Sequence, residues 1–197
     1  MKSLVIQVIH RPDGGGAEYL ARTISKDLSS SKFKSVAIYF NNPKNIKLKD
    51  HEYQLGNHSS YNPLNFLKLS FFIFKNSKRY NKIILHGHLT HALYFLVPFS
   101  FFSKFRLIYT EHNSFNRRRE IKFLCPIERY IYSRYSKIIS ISPFVQKQLL
   151  SWLYGNKIKS NFHKNKRFVV ILNGSRLFPF IKRNYNKEKF NLLSIGS

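Results

Sequence analysis

The residues with the most chemistry to offer stand at the ends of short apolar runs. Gly14, Gly15 and Gly16 follow the first such run, and backbone without side chains can approach a phosphate closely at a helix N-terminus. The spacing is neither G-x-G-x-x-G nor a P-loop, since no Lys-Ser/Thr pair follows, so a plain tight turn is the competing reading. Glu18 falls in the first turn of the helix that the glycines open. A carboxylate is favourable to the helix dipole there, and it is also a candidate ligand contact. His86, His88 and His91 gather around a second apolar run, and His112 closes another within Thr110-Glu111-His112-Asn113. In extended chain His86 and His88 project from one face. A strand-end histidine such as His112 can donate a hydrogen bond or serve in proton transfer, and the four together are alternatively a conceivable zinc site for metal-dependent hydrolysis. Ser142, just before Pro143, has the form of a helix cap. No G-x-S-x-G elbow surrounds any serine, so serine-nucleophile hydrolysis finds no support. The single cysteine, Cys125, excludes an internal disulfide framework and fits a reducing compartment.

Bringing these residues together requires a scaffold, and the hydropathy pattern supplies one. Apolar runs at residues 4–9, 36–40, 83–88, 105–110, 137–142 and 168–172, with a shorter one at 53–55, alternate with helical periodicity over 17–28, 63–79, from 90, 126–135 and 143–152. That rhythm predicts an α/β fold: a Rossmann-like domain with a mainly parallel sheet and helices on both faces. Open sheets of this kind bind ligands beyond the carboxyl ends of their strands, which is where the glycines, His88, His112 and Ser142 fall. The domain is expected over residues 1–180. Residues 181–197 read as a linker and, at 191–197 (NLLSIGS), a fresh strand with no helix to complete a parallel crossover, hence the opening of a second domain that the chain lacks.

Charge narrows the partners. The chain of 197 residues carries 34 Lys+Arg against 9 Asp+Glu, and between Glu128 and Glu188 it has 13 Lys/Arg and no acid. Such a field attracts polyanions: nucleic acid, an anionic membrane face or a phosphate-bearing substrate. Aromatic residues among the lysines keep a basic nucleic-acid-binding protein open as an alternative, although no RNA- or DNA-binding motif is present. Residues 65–79 combine four phenylalanines, two leucines and an isoleucine with Lys68, Lys75, Lys78 and Arg79, and Arg117, Arg118 and Arg119 follow later. These seven basic residues are the candidate contacts to an anionic membrane surface. The longest apolar stretch, 92–102, is about half a bilayer span and contains Pro98, so a transmembrane helix is not expected. With no secretory signal pattern at the N-terminus, the expected location is cytoplasmic, peripheral on the inner face of the cytoplasmic membrane.

Taken in order, the segments GGGAE (residues 14–18), the strand-end His88, TEHN with His112, KIISISPFVQKQL with Ser142, and VVILNG (169–174) resemble the N-terminal, acceptor-binding half of a family-four retaining glycosyltransferase with the GT-B fold. NLLSIGS then looks like the first strand of that family's C-terminal domain. The resemblance implies transfer of a sugar, with retention, from a nucleotide-sugar donor to a glycan or lipid-linked acceptor in polysaccharide biosynthesis, such as lipopolysaccharide or capsule. It implies no metal or other cofactor and no nucleic-acid partner. By the same resemblance His112 is catalytic, and Gly15, Gly16, Glu18, His88, Glu111, Ser142 and Asn173 contact donor or substrate, Gly15 and Gly16 facing the donor pyrophosphate. Ser142 lines the cleft or merely caps its helix. The family places an Asp shortly after Asn-Gly, where this chain has Ser175-Arg176. Without the donor-binding domain, the 197-residue chain is expected to be inactive alone.

Overall fold

Strands β1 (Ser3–Ile9), β2 (Phe33–Tyr39), β3 (Glu52–Gln54), β4 (Ile83–His88), β5 (Phe105–Glu111), β6 (Lys137–Ser140) and β7 (Phe168–Val170) form one sheet in the order β3-β2-β1-β4-β5-β6-β7. Every neighbouring pair is parallel. The computed structural model describes residues 3–30, 32–56, 59, 62–155 and 166–174. Between the strands lie α1 (Gly16–Asp27), α2 (Pro63–Ser77), α3 (Leu89–Leu96), α4 (Leu124–Ser133) and α5 (Pro143–Tyr154), with 3-10 turns at Val97–Phe101 and Arg117–Glu120.

The near-continuous apolar runs have a physical cause, because a parallel strand is covered on both faces. Residues 4–9 of β1 are all buried. Leu4, Ile6 and Val8 face one side with Val36, Ile38, Leu85 and Leu107, and there they meet Leu69 and Ile73 of α2, Leu93 of α3, Ile131 of α4 and Leu149 of α5. Ile9, Ala37 and Tyr39 face the other side, against Ala21 of α1. Helices therefore cover both faces, and the expectation of a mainly parallel sheet becomes a fully parallel one among the described strands.

Local chemistry sets the helix starts. Asn62 Oδ1 accepts from the Leu64 N–H at 2.9 Å ahead of Pro63, and Ser142 Oγ accepts from the Val145 N–H at 3.2 Å ahead of Pro143. Each pairs a cap with a proline whose missing N–H costs nothing in the first turn. The differences from the sequence reading are local. β2 begins earlier, at Phe33; β6 ends at Ser140, as the chain turns to place Ser142 as a cap. α4 begins at Leu124, ahead of Pro126. The expected polar loop after β5 contains a capped 3-10 turn. The strand expected at 191–197, the boundary at 180 and the Ser175-Arg176 departure lie outside the described residues.

From β1 the chain winds outward through β2 to β3, then crosses back to place β4 on the other side of β1. The helix after β1 covers one face and the helix after β4 the other, so a crevice opens between the carboxyl ends of these two strands.

Candidate functional site

At the first lip of that crevice, β1 runs out through His10 into the glycines. Gly14 has φ +149°, and a Cβ there would lie 2.8 Å from Glu18 Cδ. The backbone conformation requires glycine at this position, and an added methyl group would also displace the Glu18 carboxylate. Glu18 is buried and folds back so that its carboxylate accepts the Gly15 N–H at 3.0 Å. Expected as a ligand contact, Glu18 instead serves as a cap on the loop's own backbone. Around Gly16 the space is open, with nothing within 4 Å of where a Cβ would stand.

On the opposite lip, His88 is the last residue of β4 and is fully buried. Its Nε2 lies 2.8 Å from Gln7 Oε1 on β1, and its Nδ1 lies 3.1 Å from His112 Nε2 beyond β5. With the amide oxygen facing it, His88 donates through Nε2–H to Gln7 and accepts at Nδ1 from the Nε2–H of His112. His86 stacks on His88 with ring centroids 4.2 Å apart, and its Nε2 is 2.7 Å from Thr110 Oγ1. Burial pushes the imidazole pKa values down, to about 3 for His86 and about 4 for His112. His88 is driven well below the ordinary value, by burial first and then by its histidine neighbours. All three are neutral at neutral pH, so they can orient a hydroxyl but cannot supply positive charge to a leaving phosphate. His88 and His112 bond to each other rather than converging on a point, and no three His, Cys, Asp or Glu among the described residues are grouped as a metal requires. The zinc alternative therefore finds no ligand set among the described residues.

Gln7 was not singled out from the sequence, yet it anchors the histidines. The signal was there: one amide inside LVIQVI, where a strand buried on both faces has no use for a polar side chain unless something pairs with it.

The segment after His112 is tied down by two buried acids. Asn116 Oδ1 accepts from the Arg118 N–H at 3.1 Å and starts the 3-10 turn. The Arg118 guanidinium sits 5.1 Å over the Tyr94 ring and donates to the Tyr94 hydroxyl and to Glu128. Glu128, fully buried in α4, also accepts from Tyr94 Oη at 2.7 Å and from Trp152 Nε1 at 2.9 Å. Arg119 donates to Glu111 Oε2 at 2.8 Å, and Tyr132 Oη donates to the same oxygen at 2.8 Å. Burial raises the Glu111 pKa while the Arg119 charge opposes the rise. Three expectations change as a result. Glu111 is a clamp inside the fold rather than a substrate contact, and Arg118 and Arg119 are turned inward rather than laid on a membrane-facing surface. Arg117 alone of the three is exposed. A cavity of about 310 Å³ opens here, lined by His10, Thr90, His91, Asn116 and Arg117 with Leu89 and Arg118. Leu89 holds φ +63°, a left-handed conformation uncommon for a branched side chain.

Ser142 and Asn173 share the carboxyl edge through the ends of β6 and β7. Ser142 is engaged as the α5 cap, Asn173 is exposed, and no described hydrogen bond joins either to the histidines. A larger cavity, about 750 Å³ and lined by Ser3, Lys82, Lys104 and Arg106 among others, lies at the amino edge, away from this chemistry. α2 divides its apolar residues between two tasks. Leu69 and Ile73 are buried, whereas Leu67 is 61% exposed and Phe71 70% exposed, with Leu64 and Phe74 on the same stripe. Phe102 extends this ridge, lying 5.4 Å from Phe74 between ring centroids, and its chain neighbour Phe101 is exposed beside the Arg134 guanidinium. Lys68, Lys75, Lys78 and Arg79 are exposed, Lys75 lying 5.9 Å over the Phe71 ring. No described helix is long and apolar enough to cross a membrane.

Among solved structures, the chain is similar to Anabaena Alr3699/HepE in complex with UDP and glucose, at 15% identity and a TM-score of 0.61. It is equally similar to the same protein in complex with UDP-glucose, at 16% identity and a TM-score of 0.61. In both cases the match covers 87% of this chain and 44% of the other, so the chain spans under half the length of those proteins. At this identity the likeness shows the fold, a Rossmann-like half of a GT-B architecture. No individually curated protein sequence matches the chain significantly. The profile of Glycosyltransferase Family 4 matches residues 14–174, from the first glycine of the loop through Gly174 beyond β7, and the chain belongs to that family.

Proposed function

We propose that this chain forms the acceptor-side wall of a retaining glycosyltransferase that moves a sugar from a nucleotide donor to a cell-envelope polysaccharide or glycolipid. The observation that carries the proposal is the placement of the glycine loop and of the hydrogen-bonded His88–His112 pair at the carboxyl ends of the adjacent strands β1, β4 and β5 in a family-four chain. In the reaction the anomeric carbon exchanges its bond to the nucleotide phosphate for one to an acceptor hydroxyl. The leaving diphosphate is stabilised by N–H donors held in place beforehand. Gly15 has its N–H engaged by Glu18, so the donors on offer are the remaining N–H groups of the first turn of α1, reached through the open space at Gly16. His112, neutral and braced through His88 to Gln7, orients a sugar hydroxyl.

The nucleotide-sugar donor accords with the UDP and UDP-glucose held by the similar Anabaena protein. Attachment to an anionic membrane surface accords with the exposed ridge of α2 and its four basic neighbours. It would hold the enzyme where a lipid-linked acceptor is confined. Binding and orientation by two walls of a cleft supply much of the rate, so the 197-residue chain alone should bind UDP weakly and transfer nothing. The test is a titration of nitrogen-15-labelled protein with UDP. Amide shifts confined to residues 14–17 and the His88 and His112 surroundings are expected, with a dissociation constant on the order of millimolar. An absence of shifts there at saturating nucleotide would overturn the proposal, and sugar transfer by the pure chain would overturn the requirement for a second wall.

A further inference from the structure

The cavity beside Leu89 is built to present one arginine. Of three consecutive guanidinium groups, Arg118 is bound to the buried Glu128 and Arg119 to the buried Glu111. Asn116 fixes the turn between them and β5 by accepting the Arg118 N–H. With its neighbours fastened, Arg117 is held at the cavity wall, and it makes no ion pair among the described residues. The rest of the lining is uncharged or basic: Thr90 and Asn116 offer hydrogen bonds, and His10 and His91 stand with ring centroids 5.2 Å apart. No carboxylate of the described residues lines it. Of the nearby acids, Asp13 pairs with Lys44, Glu18 with the Gly15 N–H, and Glu111 and Glu128 with the two clamping arginines, while Glu120 at the end of the turn is exposed and stands outside the lining. A volume of about 310 Å³ is at the lower end of small-molecule sites and suits one sugar ring with a substituent.

We infer that this cavity is the acceptor subsite and that it selects a sugar bearing an anionic group, a phosphate or a carboxylate, through Arg117. The inference rests on the glycosyltransferase reading for the word acceptor, but the anion preference stands on the cavity alone. A guanidinium fork matches either oxyanion in a bidentate manner; Thr90 Oγ1 accepts from Asn116 Nδ2 and Arg118 Nη2, which leaves the Thr90 O–H and the second Asn116 amide N–H to donate to ring hydroxyls.

Titrations of the nitrogen-15-labelled chain, followed at Thr90, His91 and Asn116, separate the outcomes. Methyl glucuronide and glucose 6-phosphate should bind about tenfold more tightly than methyl glucoside, the gain of one hydrogen-bonded charge pair. Added salt should erase that margin. Arg117→Gln, at an exposed position away from the core, should bind all three sugars alike. Whichever anionic sugar wins identifies the substituent as carboxylate or phosphate. Equal binding of the neutral and anionic sugars, or a preference that survives Arg117→Gln, overturns the inference. So does inorganic phosphate binding as tightly as the sugars, because the ring then contributes nothing. UDP shifting these residues instead of 14–17 would assign the cavity to the donor and also overturn it. UDP shifting nothing while the anion preference holds would count against the transferase reading only.

Discussion

Replacing Gly14 by alanine tests the architecture of the glycine loop, because two independent penalties meet at one methyl group. At φ +149° an L-residue is strained by about 2 kcal/mol, the middle of the range for sparsely populated backbone. The new Cβ would also lie 2.8 Å from Glu18 Cδ, so the carboxylate must swing away and release the Gly15 N–H it holds at 3.0 Å. Losing that cap costs about 1 kcal/mol. Against this, alanine restricts the unfolded chain and returns roughly 0.7 kcal/mol. The net expectation is a loss of about 2 kcal/mol. Gly16→Ala provides the contrast within the same triplet. Its Cβ meets nothing within 4 Å and its φ is not positive, so it should be neutral or stabilising by up to about 1 kcal/mol. Urea denaturation of both variants, with midpoints compared at a common slope, measures the difference. Two variants shifting in the same direction by the same amount would refute the division of labour among the three glycines.

Three further outcomes follow from the same geometry. The buried histidines have native pKa values below the ordinary 6.5, so between that value and about 4 the unfolded chain takes up protons that the native state refuses. Stability should be fully present above pH 6.5 and fall as the pH drops, by up to about 1.4 kcal/mol per unit for each histidine; urea midpoints at pH 7.5, 6 and 5 check this, and a flat profile contradicts it. Glu128→Ala leaves the Arg118 charge without its buried partner and should cost about 3–5 kcal/mol, read by thermal melting, whereas Glu128→Gln should recover part of the loss. Finally, Phe71→Ser with Phe101→Ser should weaken co-sedimentation with vesicles containing anionic lipid, and wild-type binding should fall steeply with salt; equal wild-type binding to neutral vesicles would count against the electrostatic half of that docking.

Fold and site were legible in the sequence to different degrees, for physical reasons. β1 could be read because a strand covered on both faces must be apolar almost throughout, and the cap at Ser142 because proline and a side-chain acceptor mark a helix start. The three arginines could not. Identical in sequence, they part company only through Glu111 and Glu128, whose positions beneath the turn depend on β5 and α4 packing together. Glu18 was ambiguous in the same way: the same carboxylate in the same first turn can face a ligand or its own backbone, and Gly14 decides by leaving room for it. The apolar residues of α2 showed their number but not their division, since both the buried stripe and the exposed ridge follow helical spacing.

The bond from Gln7 to His88 to His112 has a directional property. Each contact holds one hydrogen, and each neutral imidazole carries one, so the chain has only two arrangements. With the amide oxygen toward His88, both rings are protonated on Nε2 and the outer nitrogen of His112 is bare, ready to accept from a hydroxyl. Turn the amide by half a revolution, and every proton moves to the opposite nitrogen, so that His112 donates instead. Nothing in the backbone moves between these states, and no net charge is created. One rotation of the buried Gln7 amide thus sets the polarity of a contact two strands away, and nitrogen-15 shifts of the two imidazoles report which polarity the protein holds.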